Sequence, residues 1–141
     1  MTDGLGVEPS DDLDRLSNPA ELLFRQAYPG WVKDGEVSSQ LFKPTTKDEG
    51  KLSVARGELT TEIDAFVHHT EVLGLASAGT WAVTVEEATA ADRESYGEPT
   101  EDDPAHGFLD FRGLGRGPAE RSAKILLASA RQRGCLHPLP H

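Results

Sequence analysis

The chain has 141 residues, 37% of them hydrophobic and 27% charged, and carries a formal net charge of −10. That length suits one domain able to bury roughly two-thirds of the surface its unfolded chain exposes, and no apolar run approaches the roughly 18 residues a membrane-spanning helix needs. The single cysteine, Cys135, excludes an internal disulfide framework and a multi-cysteine metal site.

Residues 1–17 are rich in Asp, Gly, Ser and Pro. Too few apolar side chains are present to offset the entropy of ordering, so a disordered N-terminal tail is expected, followed by a single domain over 18–141. The start, Met1-Thr2-Asp3-Gly4, lacks the basic and apolar regions of a secretory signal, which makes the cytoplasm the expected location. The run Glu21-Leu22-Leu23-Phe24-Arg25-Gln26, bounded by Pro19 and by Pro29-Gly30, reads as a first strand. Asp34-Gly35 predicts a turn between short extended pieces at Trp31-Val32 and Val37. Residues 38–50 then connect to "KLSVAR", where Leu52 and Val54 alternate with Lys51 and Ser53 as in a half-buried strand.

After Gly57, Thr60 or Thr61 caps a helix in "TTEIDAFVHHTEVLG", with Glu62 and Asp64 favourable in its first turn. Ile63, Phe66, Val67, Thr70 and Leu73 form its expected apolar stripe, and Gly74 stops it. Trp81, Val83 and Val85 alternate in a further strand, and "EEATAAD" predicts a short helix ending before Tyr96-Gly97. Residues 97–107 read as a polar acidic loop and "FLDFRGL" as a strand. Gly117-Pro118 opens the last helix, whose stripe is Ala119, Ala123, Leu126, Leu127 and Ala130 and whose end is Gly134. Cys135-Leu136 then supplies an edge strand before Pro138. This order predicts an α+β fold: a single domain with a mixed or largely antiparallel sheet and the two main helices on one face.

Charge is unevenly placed. Residues 111–141 hold Arg112, Arg116, Arg121, Lys124, Arg131 and Arg133 against Glu120 alone, a net of +5, which leaves −15 for the rest of the chain. An asymmetry of this size can steer an oppositely charged partner or let the basic helix pack on its own acidic body.

Recognised catalytic signatures are absent: there is no phosphate loop, no G-x-G-x-x-G, no H-E-x-x-H and no nucleophile elbow. Adjacent His68 and His69 project about 100° apart on a helix and so cannot share one metal ion as an i, i+4 pair does. Neither a metal ion nor a cofactor is therefore expected. "GLGRGPAE" offers glycines and Arg116 before a helix N-terminus, a conceivable anion site equally explained as a tight turn. In residues 38–54, Lys47 supplies a flexible point charge that Asp48 can orient.

Two resemblances follow from these residues. Arg25 on the first strand, Ser38-Ser39 after it and Glu86 or Glu87 after a later strand are together similar to the arginine, serine and glutamate set of the ADP-ribosyltransferase family. That resemblance implies Arg25, Ser38 and Ser39 as dinucleotide-holding residues and Glu87 as the group that activates the acceptor. Separately, "LFRQAYPGWV", "DGEVSSQLFKP", "KDEGKLSV" and "GLASAGTWAVTV" resemble a group of small bacterial proteins sharing F-R-Q, S-S-x-x-F-x-P, K-D and L-S-V elements, to which no activity is attached. The expected function is a non-catalytic intracellular interaction or regulatory module, an accessory component of a bacterial multi-gene system. Its expected ligand is a protein. The alternatives are a nucleotide-binding enzyme using Arg25, Ser38, Ser39 and Glu87, and nucleic-acid binding through Arg112, Arg116, Arg121, Lys124, Arg131 and Arg133 of the basic C-terminal part, which the overall acidity opposes.

Overall fold

The computed structural model describes residues 14–139; the side chain of Lys47 lies outside the described part. Its eight strands are β1 (Asp14–Arg15), β2 (Leu22–Gln26), β3 (Val32–Lys33), β4 (Glu36–Val37), β5 (Lys51–Arg56), β6 (Thr80–Thr84), β7 (Ser95–Gly97) and β8 (His106–Asp110). Three α-helices accompany them: α1 (Glu62–Val67), α2 (Val85–Ala90) and α3 (Arg116–Arg133). Six strands form one antiparallel sheet in the order β1-β7-β8-β5-β2-β6, and β3-β4 is a separate hairpin turned by Asp34-Gly35. The expected α+β class is what the chain adopts.

Alternation along the strands sorts side chains between two unequal faces. Leu23 on β2, Leu52 and Val54 on β5, Trp81 and Val83 on β6 and Leu109 on β8 share one face. Ala123, Leu126 and Ala130 of α3 cover it, together with Leu41 and Phe42 from a 3-10 helix over Ser39–Phe42. The opposite face has a much smaller cluster, in which Phe24 and Ala82 meet Ala65 of α1. The two main helices were expected on one face; instead α3 and α1 take opposite faces. A helix contributing a single fully buried alanine needs little sheet to sit on, so one face did not have to hold both.

The apolar stripe expected to anchor α1 is split: Phe66 is half-buried against the His137 ring and Thr70 is half-buried, but the other members face away from the sheet. Ile63, Val67 and Leu73 are exposed, while Ala65 is buried. Thr61 caps α1 by accepting from the Asp64 N–H at 3.1 Å, as expected, but the regular helix ends at Val67 and continues as a π-helical turn over His68–Val72.

The expected domain start near Asn18 moves forward. Asp14 and Arg15 pair with Gly97 and Tyr96, and Leu16 is buried in the main core; residues 1–13 lie outside the described residues. Strand β7, expected as a helix end and loop, forms because Ser95, Tyr96 and Gly97 pair with both β1 and β8. Leu136 donates its N–H to the Thr80 carbonyl at 2.8 Å, so the expected edge strand at the C-terminus is reduced to a bridge between Thr80 and His137.

The joint between β2 and β5 is short. Only Leu23↔Arg56 and Phe24↔Ala55 are in register there, whereas β2-β6 and β5-β8 each pair over five positions. At one end, Gly57 donates its N–H to the Leu22 carbonyl at 2.7 Å, and a Cβ on Gly57 would stand 2.7 Å from that same oxygen. At the other end the strands part, and the gap opens into a cleft.

Phe42 is fully buried between the sheet and α3. Phe42→Ala is expected to lower stability by about 3–5 kcal/mol, read from urea unfolding midpoints. An effect below about 1 kcal/mol would mean that the 3-10 helix does not anchor residues 38–50.

Candidate functional site

A cleft of about 570 Å³ occupies the open end of the β2-β5 joint. Its floor is Phe24, Arg25 and Ser53, one wall comes from His68, His69, Leu73 and Leu75 around the π-helical turn, and Tyr28 and Trp31 stand at its other side. The two aromatic rings meet edge-on with centroids 6.0 Å apart. A polar base with aromatic and aliphatic walls is the usual composition of a small-molecule pocket, and this volume lies within the usual size range.

Arg25 is held by backbone carbonyls of the 3-10 helix and of β5. Its Nε donates to the Leu41 carbonyl at 2.8 Å and its Nη1 to the Ser53 carbonyl at 2.9 Å. The second bond caps a β5 carbonyl where the β2-β5 register has ended. Burial pushes the guanidinium pKa down to about 10, against a smaller opposing pull from the Asp48 charge. Asp48 is occupied locally: its carboxylate accepts from the Thr45 N–H at 2.6 Å and from the Thr45 hydroxyl at 3.1 Å.

The histidines differ in their partners. His106 is fixed by contacts to the Glu98 carbonyl at 3.0 Å and to the Ser53 hydroxyl at 3.2 Å. His68 Nε2 is buried and has no hydrogen-bond partner. The His69 pKa is lowered by burial and by the charges of Arg25 and His68, against the raising effect of a hydrogen bond that the ring donates to the Ala76 backbone. Arg25, His68 and His69 are therefore electrostatic neighbours. Among the described residues, no group of three or more His, Cys, Asp or Glu side chains could hold a metal ion.

Of the residues singled out from sequence, Arg25 and Asp48 line the cleft, and Ser38, Ser39 and Glu87 do not. Ser38 caps the 3-10 helix that follows it, its side chain accepting from the Gln40 N–H. Glu87 reaches back to the Thr84 N–H at 2.8 Å in a capping box and binds Arg133 through both oxygens at 2.8 and 3.1 Å. Burial alone would raise the Glu87 pKa, but the Arg133 and Thr84 hydrogen bonds and the Arg133 charge outweigh it and hold the carboxyl below its usual range. Glu86 lines a separate groove of about 600 Å³ between β1 and α2. Sequence reasoning missed Tyr28, Trp31 and Ser53; no motif links them, and only the parting of β2 from β5 brings them together.

Two of the five basic side chains of α3, Arg131 and Arg133, are tied to the body of the domain, and a third pairs within the helix. Arg131 donates to the Val37 carbonyl at 2.8 Å, Arg133 to the Ala82 carbonyl at 3.0 Å, and Arg116 pairs with Glu120 at 3.0 Å one turn away. Arg121 and Lys124 face solvent and make no ion pair among the described residues. No helix among the described residues is long and apolar enough to cross a membrane. No protein-family model, curated protein or solved structure matches the chain, so residue roles rest on its own geometry.

Two measurements check this geometry. Because the folded His69 pKa lies below 6.5, the unfolded chain takes up its proton first on acidification. Stability is then expected to fall as pH drops below about 6.5, until the folded pKa is reached. His69→Gln should flatten that part of the profile, measured by urea midpoints across the range; an unchanged slope would show that His69 is solvated. Glu87→Gln, which strips the Arg133 guanidinium of its counter-charge, should cost about 1–3 kcal/mol at neutral pH. A neutral substitution would release Glu87 from its structural role.

Proposed function

We propose that this chain is a non-catalytic interaction module that docks a protein segment on the outer side of α1 and the residues flanking it. The observation that carries this reading is the exposed part of the α1 stripe. Ile63 is 51% exposed, Val72 67%, Leu73 53% and Leu75 51%, with Leu59 and Val67 also exposed. Ile63 and Val67 stand one helical turn apart and so share a side of α1. Burying an apolar side chain of this size is worth roughly 1.5–3 kcal/mol, and several left in water along one short segment mark a surface that another molecule covers.

Charge selects the partner. No Lys or Arg occurs between Gly57 and Asp92, while Glu58, Glu62, Asp64 and Glu71 surround the apolar side chains in sequence. The complementary partner is a segment with an apolar centre and basic flanks, attracted more strongly at low salt. The absence of a recognisable catalytic motif in the sequence supports a module over an enzyme.

The test compares proteins retained from host lysate by the tagged full chain and by two double variants, Ile63→Asp with Val67→Asp and Arg121→Glu with Lys124→Glu. The α1 variant is expected to lose a stoichiometric partner by tenfold or more while its melting temperature stays within a few degrees, and the α3 variant to retain it. Loss in the α3 variant alone, or retention in both, would refute docking on α1. A self-associating chain that becomes monomeric in the α1 variant would also refute the proposed partner and replace it with a second copy.

A further inference from the structure

Arg25 differs from most of the arginines drawn against this domain. Arg56 is met by Glu21 at 2.9 Å, Arg112 by Asp110 at 2.9 Å, Arg133 by Glu87 at 2.8 Å and Arg131 by Glu36 at 3.7 Å. Arg25 has no carboxylate within 4.0 Å among the described residues and is held only by the neutral carbonyls of Leu41 and Ser53. A guanidinium carries five N–H donors, so two are used, and among the described residues Nη2 has no hydrogen engaged. Arg93 also lacks an ion pair among the described residues, but it sits over the Phe111 ring, donates to the Asp110 carbonyl and lines neither cleft. Arg25 is half-buried, the Asp48 charge acts on it only from a distance, and its free edge opens onto about 570 Å³ of accessible space.

A second unsatisfied group lines the same space. Among the described residues His68 Nε2 is buried without a partner, and a buried nitrogen of this kind is unfavourable until something bonds to it. Around these two polar groups stand Phe24, Tyr28 and Trp31. The carboxylates that reach the cleft are Asp48, which is engaged by Thr45, and Asp103, with Lys43 among the lining residues to offset them.

We infer that this cleft binds a small organic anion, its carboxylate or phosphate seated on the free edge of Arg25 and its flat apolar body lying against Tyr28 and Trp31. A bare inorganic ion would satisfy Arg25 and leave the aromatic side of the cleft uncovered. A neutral ring would cover that side and leave Arg25 unpaired. The ligand supplies both, which excludes a purely apolar lipid tail and a metal cation. This site is separate from the docking surface in chemistry, although Leu73 and Leu75 border both.

The test titrates the full chain with benzoate, adenosine monophosphate and inorganic phosphate, following the indole N–H resonance of Trp31 and the melting temperature. Benzoate or adenosine monophosphate is expected to shift the Trp31 resonance saturably and raise the melting temperature by 2 °C or more at about 10 mM, with inorganic phosphate at least tenfold weaker. Response to benzoate alone identifies a carboxylate ligand, and response to adenosine monophosphate alone a phosphate ester. Arg25→Gln should weaken binding tenfold or more. Because that substitution also removes the bonds to Leu41 and Ser53, Tyr28→Ala at the exposed mouth serves as the second variant and should weaken binding threefold or more with the fold intact. Saturation by none of the probes, or wild-type affinity in Tyr28→Ala, overturns the inference.

Discussion

The constraint on which the rest of the molecule depends is the two-residue joint between β2 and β5. Everything on the β1-β7-β8-β5 side of the sheet meets the β2-β6 side there, through Leu23↔Arg56 and Phe24↔Ala55. Backbone pairing that short contributes little, so the joint is closed at both ends by arginines donated in opposite directions. Arg56 on β5 reaches Glu21 just before β2, and Arg25 on β2 reaches back to the Ser53 carbonyl on β5. Glu21 is nearly inaccessible to water, and Arg56 with the Glu58 N–H compensates its charge. Removing one member of such a set leaves a buried charge without its partner, which costs far more than the pair itself contributes.

The joint cannot lengthen, because β2 is already committed elsewhere. Past Gln26 the backbone turns toward the β6 side: the Ala27 N–H donates to the Gly79 carbonyl at 3.0 Å, and the Ala78 N–H returns to Ala27 at 2.7 Å. Strand β5 meanwhile continues with β8 as far as Lys51↔Asp110. The parted strands create an unpaired Ser53 carbonyl, Arg25 caps it, and the cleft is the space left beside that cap. Packing and site thus share one cause. The thick core under α3 tolerates the gap, since Leu41 and Phe42 bridge from the 3-10 helix to that face of the sheet.

Sequence periodicity reported some of this and was silent on the rest, for reasons visible in particular residues. Lys51–Arg56 and Arg116–Arg133 were legible because a full strand alternation and a helix with a proline in its first turn and a glycine at its end each fill their window. Strand β7 was not, since Ser95-Tyr96-Gly97 has neither length nor alternation and exists only because β1 and β8 flank it. For α1 the period identified which side chains stand together but not which side meets the sheet. The large residues Ile63 and Val67 took the solvent side, and small Ala65 permits the close approach to Phe24 and Ala82. Arg25 was singled out from sequence and lines the cleft, whereas Tyr28, Trp31 and Ser53 were not singled out, because their proximity is created by strands separating and not by any spacing along the chain. Glu87 stood out as an acid after a strand; its partner Arg133 lies 46 residues away and only the fold supplies it.

The π-helical turn over His68–Val72 is where the two surfaces meet. Its first two residues, His68 and His69, line the cleft, while Val72 and the following Leu73 are exposed among the apolar side chains outside. Turns of this type are uncommon and concentrate at functional sites. Here the reason is geometric: one five-residue turn gives the polar cleft its wall and the apolar surface its far end, so the two surfaces cannot be repacked independently.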